Sequence, residues 1–410
     1  MEVLKFGGIS IVNAAAIRNV VAITKKYETD ILLVVSAMGK MTNAFERLVE
    51  RYFYSEEYAD VLQEIINYHK EVCSDLQLKD NKSILLLFSD LEKALQNEPS
   101  KNYHYEYDRI VSFGELLSST ILHTYMQEQL IENSWVDVRT LIKTDKTYRF
   151  ANVDWKDTLS NISEYFSTSK VRVHITQGFI AGAENETTSL GREGSDYSAA
   201  IFAYALSVDK ITIWKDVAGV LTSDPRLSSE VSLLKKLSYY DAIELAFFGA
   251  QIIHPKTIQP LKDKNIPLIV RSFKDTKKQG TEITNKRIEI TEPIVIVKEQ
   301  QVLLSIKTKD FSFVEEENMS TIFSILSRYN VKVNMMQNGA VSFSLVVDFR
   351  KYLFDDMIAD LSASFELRYN KDLKLITIRH YNEEAIEKWI SGHEIYLEQK
   401  SRNTAQYLIL

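Results

Sequence analysis

The chain has 410 residues, 45% of them hydrophobic, enough for roughly two or three domains with cores of their own. Its 49 basic and 56 acidic side chains leave a formal charge of -7, which argues against a nucleic-acid or polyanion binder. The single cysteine, Cys73, excludes an intrachain disulfide, and no apolar run reaches the roughly 18 residues of a membrane span.

Residues 2–6 read as a strand that stops at Gly7-Gly8, followed by a helical stretch over 14–26. This start has no charged region leading into an apolar one, so no signal peptide is expected, and a cytoplasmic protein is the default. The continuous apolar run at 30–37 suits a strand buried on both faces. Residues 42–98 are helical in pattern, and 135–142 and 171–176 read as strands. A helix over 195–206, strands at 210–214 and 267–273, and a helix over 238–250 complete an α/β layered domain of about 280 residues. The polar stretch 277–292 reads as a linker or an edge. Beyond it the elements shorten into two runs of a split βαβ, α+β type, the second abbreviated.

Three glycine turns follow strands. At Lys5-Phe6-Gly7-Gly8 the missing Cβ atoms allow an anion nest beside a fixed cation, although for this stretch alone a plain turn with a surface lysine is the commoner explanation. At 187–200, Gly191 and Gly194 bracket Arg192, and Ser195-Asp196 opens a helix. Arginine suits a carboxylate and a helix N-terminus suits phosphate, against the simpler reading of an N-cap. At 214–226, Asp216 suits ribose or adenine, and Lys215 and Arg226 suit phosphates; a β-turn accounts for the glycine and proline but not for the charges. No phosphate loop of the GxxxxGK type, no GxGxxG fingerprint and no GxSxG elbow occurs. The seven histidines show no ligand spacing with Cys73, so no zinc site is expected, and His254 reads as a cap or packing residue.

Taken together these stretches resemble aspartate kinases of the amino-acid kinase family. KFGGIS matches the opening motif, and SAMGKMTN (36–43) the second, through Ser36, Thr42 and Asn43. SFGELLSS (112–119), LGREGSDYSAA, WKDVAGVLTSDPR and FFGAQIIHPKT (247–257) follow in the family's order. The resemblance covers residues 1 to about 275, and the last third resembles, more loosely, paired ACT regulatory domains. It implies a catalytic domain over 1–280 and an ACT region over 281–410, and phosphorylation of the β-carboxylate of L-aspartate by ATP with Mg²⁺. Lys5 would then stabilise the transferring phosphoryl group, with Gly7, Gly8 and Ser195 meeting phosphate. Asp196 would organise Lys5 or the metal. Ser36, Thr42, Glu115 and Arg192 would hold aspartate, and Lys215, Asp216 and Arg226 the nucleotide. Asn334, Gln337 and Asn338, in NMMQNGAVSFSLVVD (334–348), would bind a lysine or threonine effector between paired subunits of a homodimer or larger homo-oligomer. No homoserine dehydrogenase part is expected after the second small unit.

Three positions depart from the family pattern. Ile9 replaces a hydroxyl residue whose hydrogen bond is worth about 0.5–1.5 kcal/mol. Glu193 stands where glycine is common; a carboxylate about 4 Å from phosphate would cost roughly 4 kcal/mol, so it is expected to point away or pair with a cation. Gln251 stands where many relatives carry lysine, with Lys215 as the compensating cation. These departures favour, as an alternative, an amino-acid-sensing subunit with a weakened kinase site; the alternative within the fold is a kinase of glutamate, N-acetylglutamate or a nucleotide, against which the ACT-like tail and the GREGSDYSAA stretch count.

Overall fold

The computed structural model describes residues 1–410 except 80, 251, 252 and 311. Gln251 therefore lies outside the described residues. The chain divides into two compact units. One comprises Met1–Val220, Leu233–Ala246 and Gln251–Ile288; the other comprises Leu221–Ser232, Phe247–Ala250 and Glu289–Leu410.

The first unit holds strands β1 (Glu2–Phe6), β2 (Ile31–Val35), β3 (Ser134–Val136), β4 (Val173–Gln177), β5 (Ile180–Ala183), β6 (Glu186–Ser189), β7 (Ile211–Lys215), β8 (Lys236–Ser238), β9 (Leu268–Ser272) and β10 (Thr281–Thr284). Eight of them form one sheet in the order β3-β4-β2-β1-β7-β9-β10-β8, and β5 and β6 form a separate hairpin. From β3 to β9 the neighbours run parallel. Strand β2 (ILLVV) is buried at every position, as a strand inside a parallel α/β sheet must be. β1 is central: Lys5 lies opposite Val34 on one side and Ile213 on the other. The loops after β1, β2, β4 and β7 therefore converge at one end of the sheet, where α/β proteins place their ligands.

The helical stretch 42–98 resolves into Met41–Phe53, Ala59–Leu76 and Lys82–Gln96. Two expectations need correction. Residues 135–142 are not one strand: β3 ends at Val136, and Asp137 caps a short helix, Val138–Leu141, by accepting the Arg139 N–H. The polar segment 277–292 is not all linker, since β10 pairs with both β8 and β9 there.

The second unit holds β11 (Ile294–Thr308), β12 (Val333–Asn338), β13 (Ser342–Asp348), β14 (Phe365–Arg379), β15 (Ile395–Lys400) and β16 (Thr404–Ile409), in the order β12-β13-β11-β14-β16-β15. With the helices Glu316–Arg328 and Lys351–Ser364, the late half of β11 and the early half of β14 complete one βαββαβ unit. The late half of β14 starts the other unit, whose outer strand is the early half of β11, Ile294–Lys298. The abbreviated unit thus regains a strand from the chain preceding its neighbour, which a reading in chain order misses.

Within this one sheet, paired bulges lie where the two βαβ repeats meet. The register slips by one residue in β11 and then in β14, where Gln300 (φ 55°) and Asp372 (φ 60°) adopt left-handed backbone. Each slip reverses the alternation of its strand. Val295 and Val302 consequently face the same layer of helices, as do Phe365 and Ile376.

Candidate active site

Lys5 is the last but one residue of β1, and Asp196 lies in the first turn of the helix Gly194–Leu206. Both are buried, and Lys5 Nζ lies 2.7 Å from Asp196 Oδ1. Lys215, ending β7, puts its Nζ 3.7 Å from the other oxygen, Oδ2. Burial pushes the Asp196 pKa up, but the two ammonium groups outweigh it and hold the carboxyl below its ordinary value. One carboxylate thus orders two cations, leaving a net positive charge beside a helix N-terminus, the arrangement that suits phosphate.

Gly8 shows why glycine follows Lys5. A Cβ there would lie 2.7 Å from the Ala37 carbonyl oxygen and 2.8 Å from that of Gly39. The Gly39 N–H in turn donates to the Gly8 carbonyl at 3.0 Å. Gly178, after β4, is equally constrained, since its Cβ would fall 2.6 Å from that of Ser195. Backbone crosses backbone here, and no side chain fits between.

The loop after β2 meets the helix Phe113–Glu128. The Ala37 N–H donates to Glu115 Oε1 at 3.2 Å, and Ser118 Oγ donates to the Ser36 carbonyl at 2.7 Å. Glu115 Oε2 is buried with no hydrogen-bond partner among the described residues. Burial raises its pKa to about 8, against the smaller opposing effects of the Ala37 amide and Lys5. An unpaired buried carboxyl oxygen marks a place for a cationic or hydrogen-bonding group.

A cavity of about 470 Å³ gathers Gly8, Ser36, Thr42, Glu115, Arg192 and Ser195, residues drawn from four separate motifs. Lys5, Gly7 and Asp196 adjoin it, through Gly8 and Ser195. Asp216 and Arg226 are not among its lining residues. Asp216 is exposed past the end of β7, and the exposed Arg226 forks onto Asp224, with Nη2 2.6 Å from Oδ2. Glu193 departs from the expectation that it points away or pairs with a cation. It lines the cavity, in left-handed backbone, and accepts the His254 N–H at 2.9 Å. His254 itself caps the helix Pro255–Asp263. Ile9 is exposed.

Five lining residues had carried no signal in the sequence: Glu46, Tyr107, Arg149, Phe150 and Phe179. Apart from Phe179, which follows Gly178, none lies in a glycine turn or beside another polar motif residue. Lys256, inside the FFGAQIIHPKT stretch, donates to the Leu190 carbonyl at 3.2 Å and so steadies the Arg192 turn.

In the second unit, Asn334 is buried, bonded to Lys298 Nζ (2.7 Å), Gln301 Oε1 (2.8 Å) and Asp348 Oδ1 (2.8 Å). Its amide is thus spent on holding β12 to its neighbours, whereas Gln337 and Asn338 are exposed at the end of β12, an outer strand of the sheet.

A cation pair organised by one carboxylate at the mouth of a parallel sheet is the site of a phosphotransferase, and the chain belongs to the amino acid kinase family, whose sequence profile matches residues 1–272. It is similar to the lysine-sensitive aspartokinase 3 of Escherichia coli, at 29% identity over 405 residues, covering 92% of this chain and 86% of that protein. A bifunctional aspartokinase/homoserine dehydrogenase of Buchnera aphidicola is 30% identical over 359 residues, and the chain spans only 43% of its length. Among solved structures, E. coli aspartokinase III with lysine and aspartate superposes with a TM-score of 0.84 at 25% identity, covering 100% of this chain and 95% of that one. The same enzyme with aspartate and ADP gives 0.81.

Proposed function

We propose that the chain is an aspartate kinase, transferring the γ-phosphoryl group of ATP to the β-carboxylate of L-aspartate to give 4-phospho-L-aspartate and ADP. The observation that carries this reading is the Lys5–Asp196–Lys215 cluster beside a cavity that sets the free oxygen of Glu115 near an arginine. The E. coli relative, crystallised with aspartate and ADP, supports it. The β-carboxylate is ionised at neutral pH, so it attacks the γ-phosphorus without a general base, and catalysis is positioning and charge balance. Lys5 neutralises charge on the transferring group, and Asp196 keeps Lys5 in place. Glu115, Ser36 and Thr42 hold the substrate ammonium, and Arg192 takes a carboxylate. Lys215 and Asp216 hold the nucleotide. Arg226 would have to give up its fork to Asp224 before it could bind a phosphate.

The donor set fits Mg²⁺ carried in on the nucleotide phosphates, which ordinarily needs only one or two protein carboxylates. Among the described residues no cluster of three or more His, Cys, Asp or Glu side chains forms a cage for a metal. Asp196 would be the protein carboxylate nearest that role. Bound there, the ion would draw charge from the β- and γ-oxygens.

Two joined βαββ-type units are the architecture of paired ACT domains, and the E. coli relative is lysine-sensitive. We infer that lysine is the effector, contacting Gln337 and Asn338, with threonine the alternative. The outer edge of β12 would pair with a second copy in a homodimer.

ADP release from Mg-ATP, measured with L-aspartate, with L-glutamate and with no acceptor, tests the catalytic reading. Aspartate-dependent turnover that falls about 100- to 1,000-fold in Lys5→Ala is expected. No turnover with any acceptor would overturn it in favour of an amino-acid-sensing subunit.

A further inference from the structure

Arg149 is a second guanidinium on the cavity wall, and no carboxylate of the described residues pairs with it. Among those residues its side chain takes part in no hydrogen bond and no ion pair. It lies instead over the ring of Tyr107, 4.1 Å from the ring centroid. Tyr107 is held in turn, its hydroxyl donating to Glu46 Oε1 at 2.7 Å.

The backbone beneath Arg149 is as constrained as the side chain is free. Arg149 has φ 68°, a conformation that non-glycine residues hold only where their surroundings impose it. Its N–H donates to Asp108 Oδ2 at 2.9 Å. The same buried carboxylate accepts the N–H of Ser189 at 2.8 Å and its hydroxyl at 2.5 Å. One helix, Tyr103–Val111, thus supplies both the platform under the guanidinium and the anchor for its backbone. That anchor also ties the Arg149 turn to the strand leading into Gly191 and Arg192. A charged head stacked on a fixed ring, with its N–H groups unspent, is preorganised to bind an anion.

The chemistry of the cavity selects which anion. Its wall carries Arg149 and Arg192, but also Glu46, Glu115 and Glu193. Three carboxyl groups disfavour a polyphosphate and suit a ligand with an ammonium group and two separate carboxylates. We propose that Arg149 holds the carboxylate that is not phosphorylated, and so selects dicarboxylic over monocarboxylic amino acids. This rests on the aspartate kinase reading.

The test compares Arg149→Met and Arg149→Lys with the native chain, using aspartate and β-alanine, which has the ammonium and the reacting carboxylate but lacks the other. In Arg149→Met the KM for aspartate should rise about 10- to 150-fold, the value of a charge-assisted hydrogen bond. The kcat at saturation should change little, and the KM for ATP should not change. Preference for aspartate over β-alanine should shrink by the same factor, and Arg149→Lys should recover part of it. A KM for aspartate unchanged in Arg149→Met, or an equal loss with both acceptors, would overturn the proposal and leave the kinase reading intact. A native chain inactive with aspartate would overturn both. Should Arg149→Met fail to fold, Arg149→Lys decides alone: a raised KM for aspartate with a reduced preference over β-alanine supports the proposal, and native KM with native discrimination overturns it.

Discussion

Glu115 carries the clearest pH consequence of any single residue. Its pKa is raised from 4.5 to about 8 by burial. Between those values the folded chain holds a proton that the unfolded chain has released. Stability tied to this group is therefore present below pH 4.5 and lost as pH rises through about 8. Glu115→Gln, neutral throughout, should lose less melting temperature than the native chain between about pH 5 and 8 in calorimetry. Equal slopes would show that the carboxyl is not held protonated. At this scale Ser36, Thr42 and Glu115 followed only from the family resemblance, whereas Arg192 and Ser195 could be picked out from the chain because they sit in a dense polar, glycine-bearing motif. Arg149 could not, because what makes it unusual is a tyrosine ring 42 positions earlier in the chain and a backbone angle.

At the scale of elements, the paired bulges of β11 and β14 are the feature most open to test. Deleting Gln300 removes the extra residue of β11 and turns Val295 and Val297 away from the helix layer that they help to cover. Burial of two valines is worth roughly 3 kcal/mol or more, so denaturant midpoints should fall sharply. A midpoint within error of the native value would mean that the strand re-registers without loss. Strand β2 was legible because an unbroken apolar run of that length, bounded by polar residues, fits little besides a buried strand, and β1 and β7 because short apolar runs stop at a glycine turn or a charged one. The end of β3 was not: WVDVRTLI alternates like a strand, and only the capping carboxylate of Asp137 turns its second half into a helix. β10 was hidden in a polar segment because it is only four residues long and alternates, with Thr281 and Ile283 buried and Glu282 and Thr284 half-buried, so a single apolar side chain marks it.

For the molecule as a whole, sensitivity to lysine is the expected outcome. Lysine added to the kinase assay should lower the rate. Gln337→Ala should raise the concentration giving half-inhibition about tenfold, the value of one hydrogen bond to a charged group. A rate that neither lysine nor threonine changes, at any aspartate level, would leave the second unit a structural one. Order along the chain was enough to determine the family and the reaction. The glycine turns, Lys5, Glu115, Arg192 and Asp196 recur in one sequence order, and the parallel sheet follows from apolar runs alternating with helices. Only tertiary structure decided what surrounds those residues: the salt-bridged Asp196 between two lysines, the internal bonding of Asn334, the anchoring of Glu193 on His254, and the strand that 294–298 lends to a unit beginning some eighty residues later. Local pattern records which face of an element is apolar. It carries no record of which distant element will pair with its edge or present a charge to its side chain.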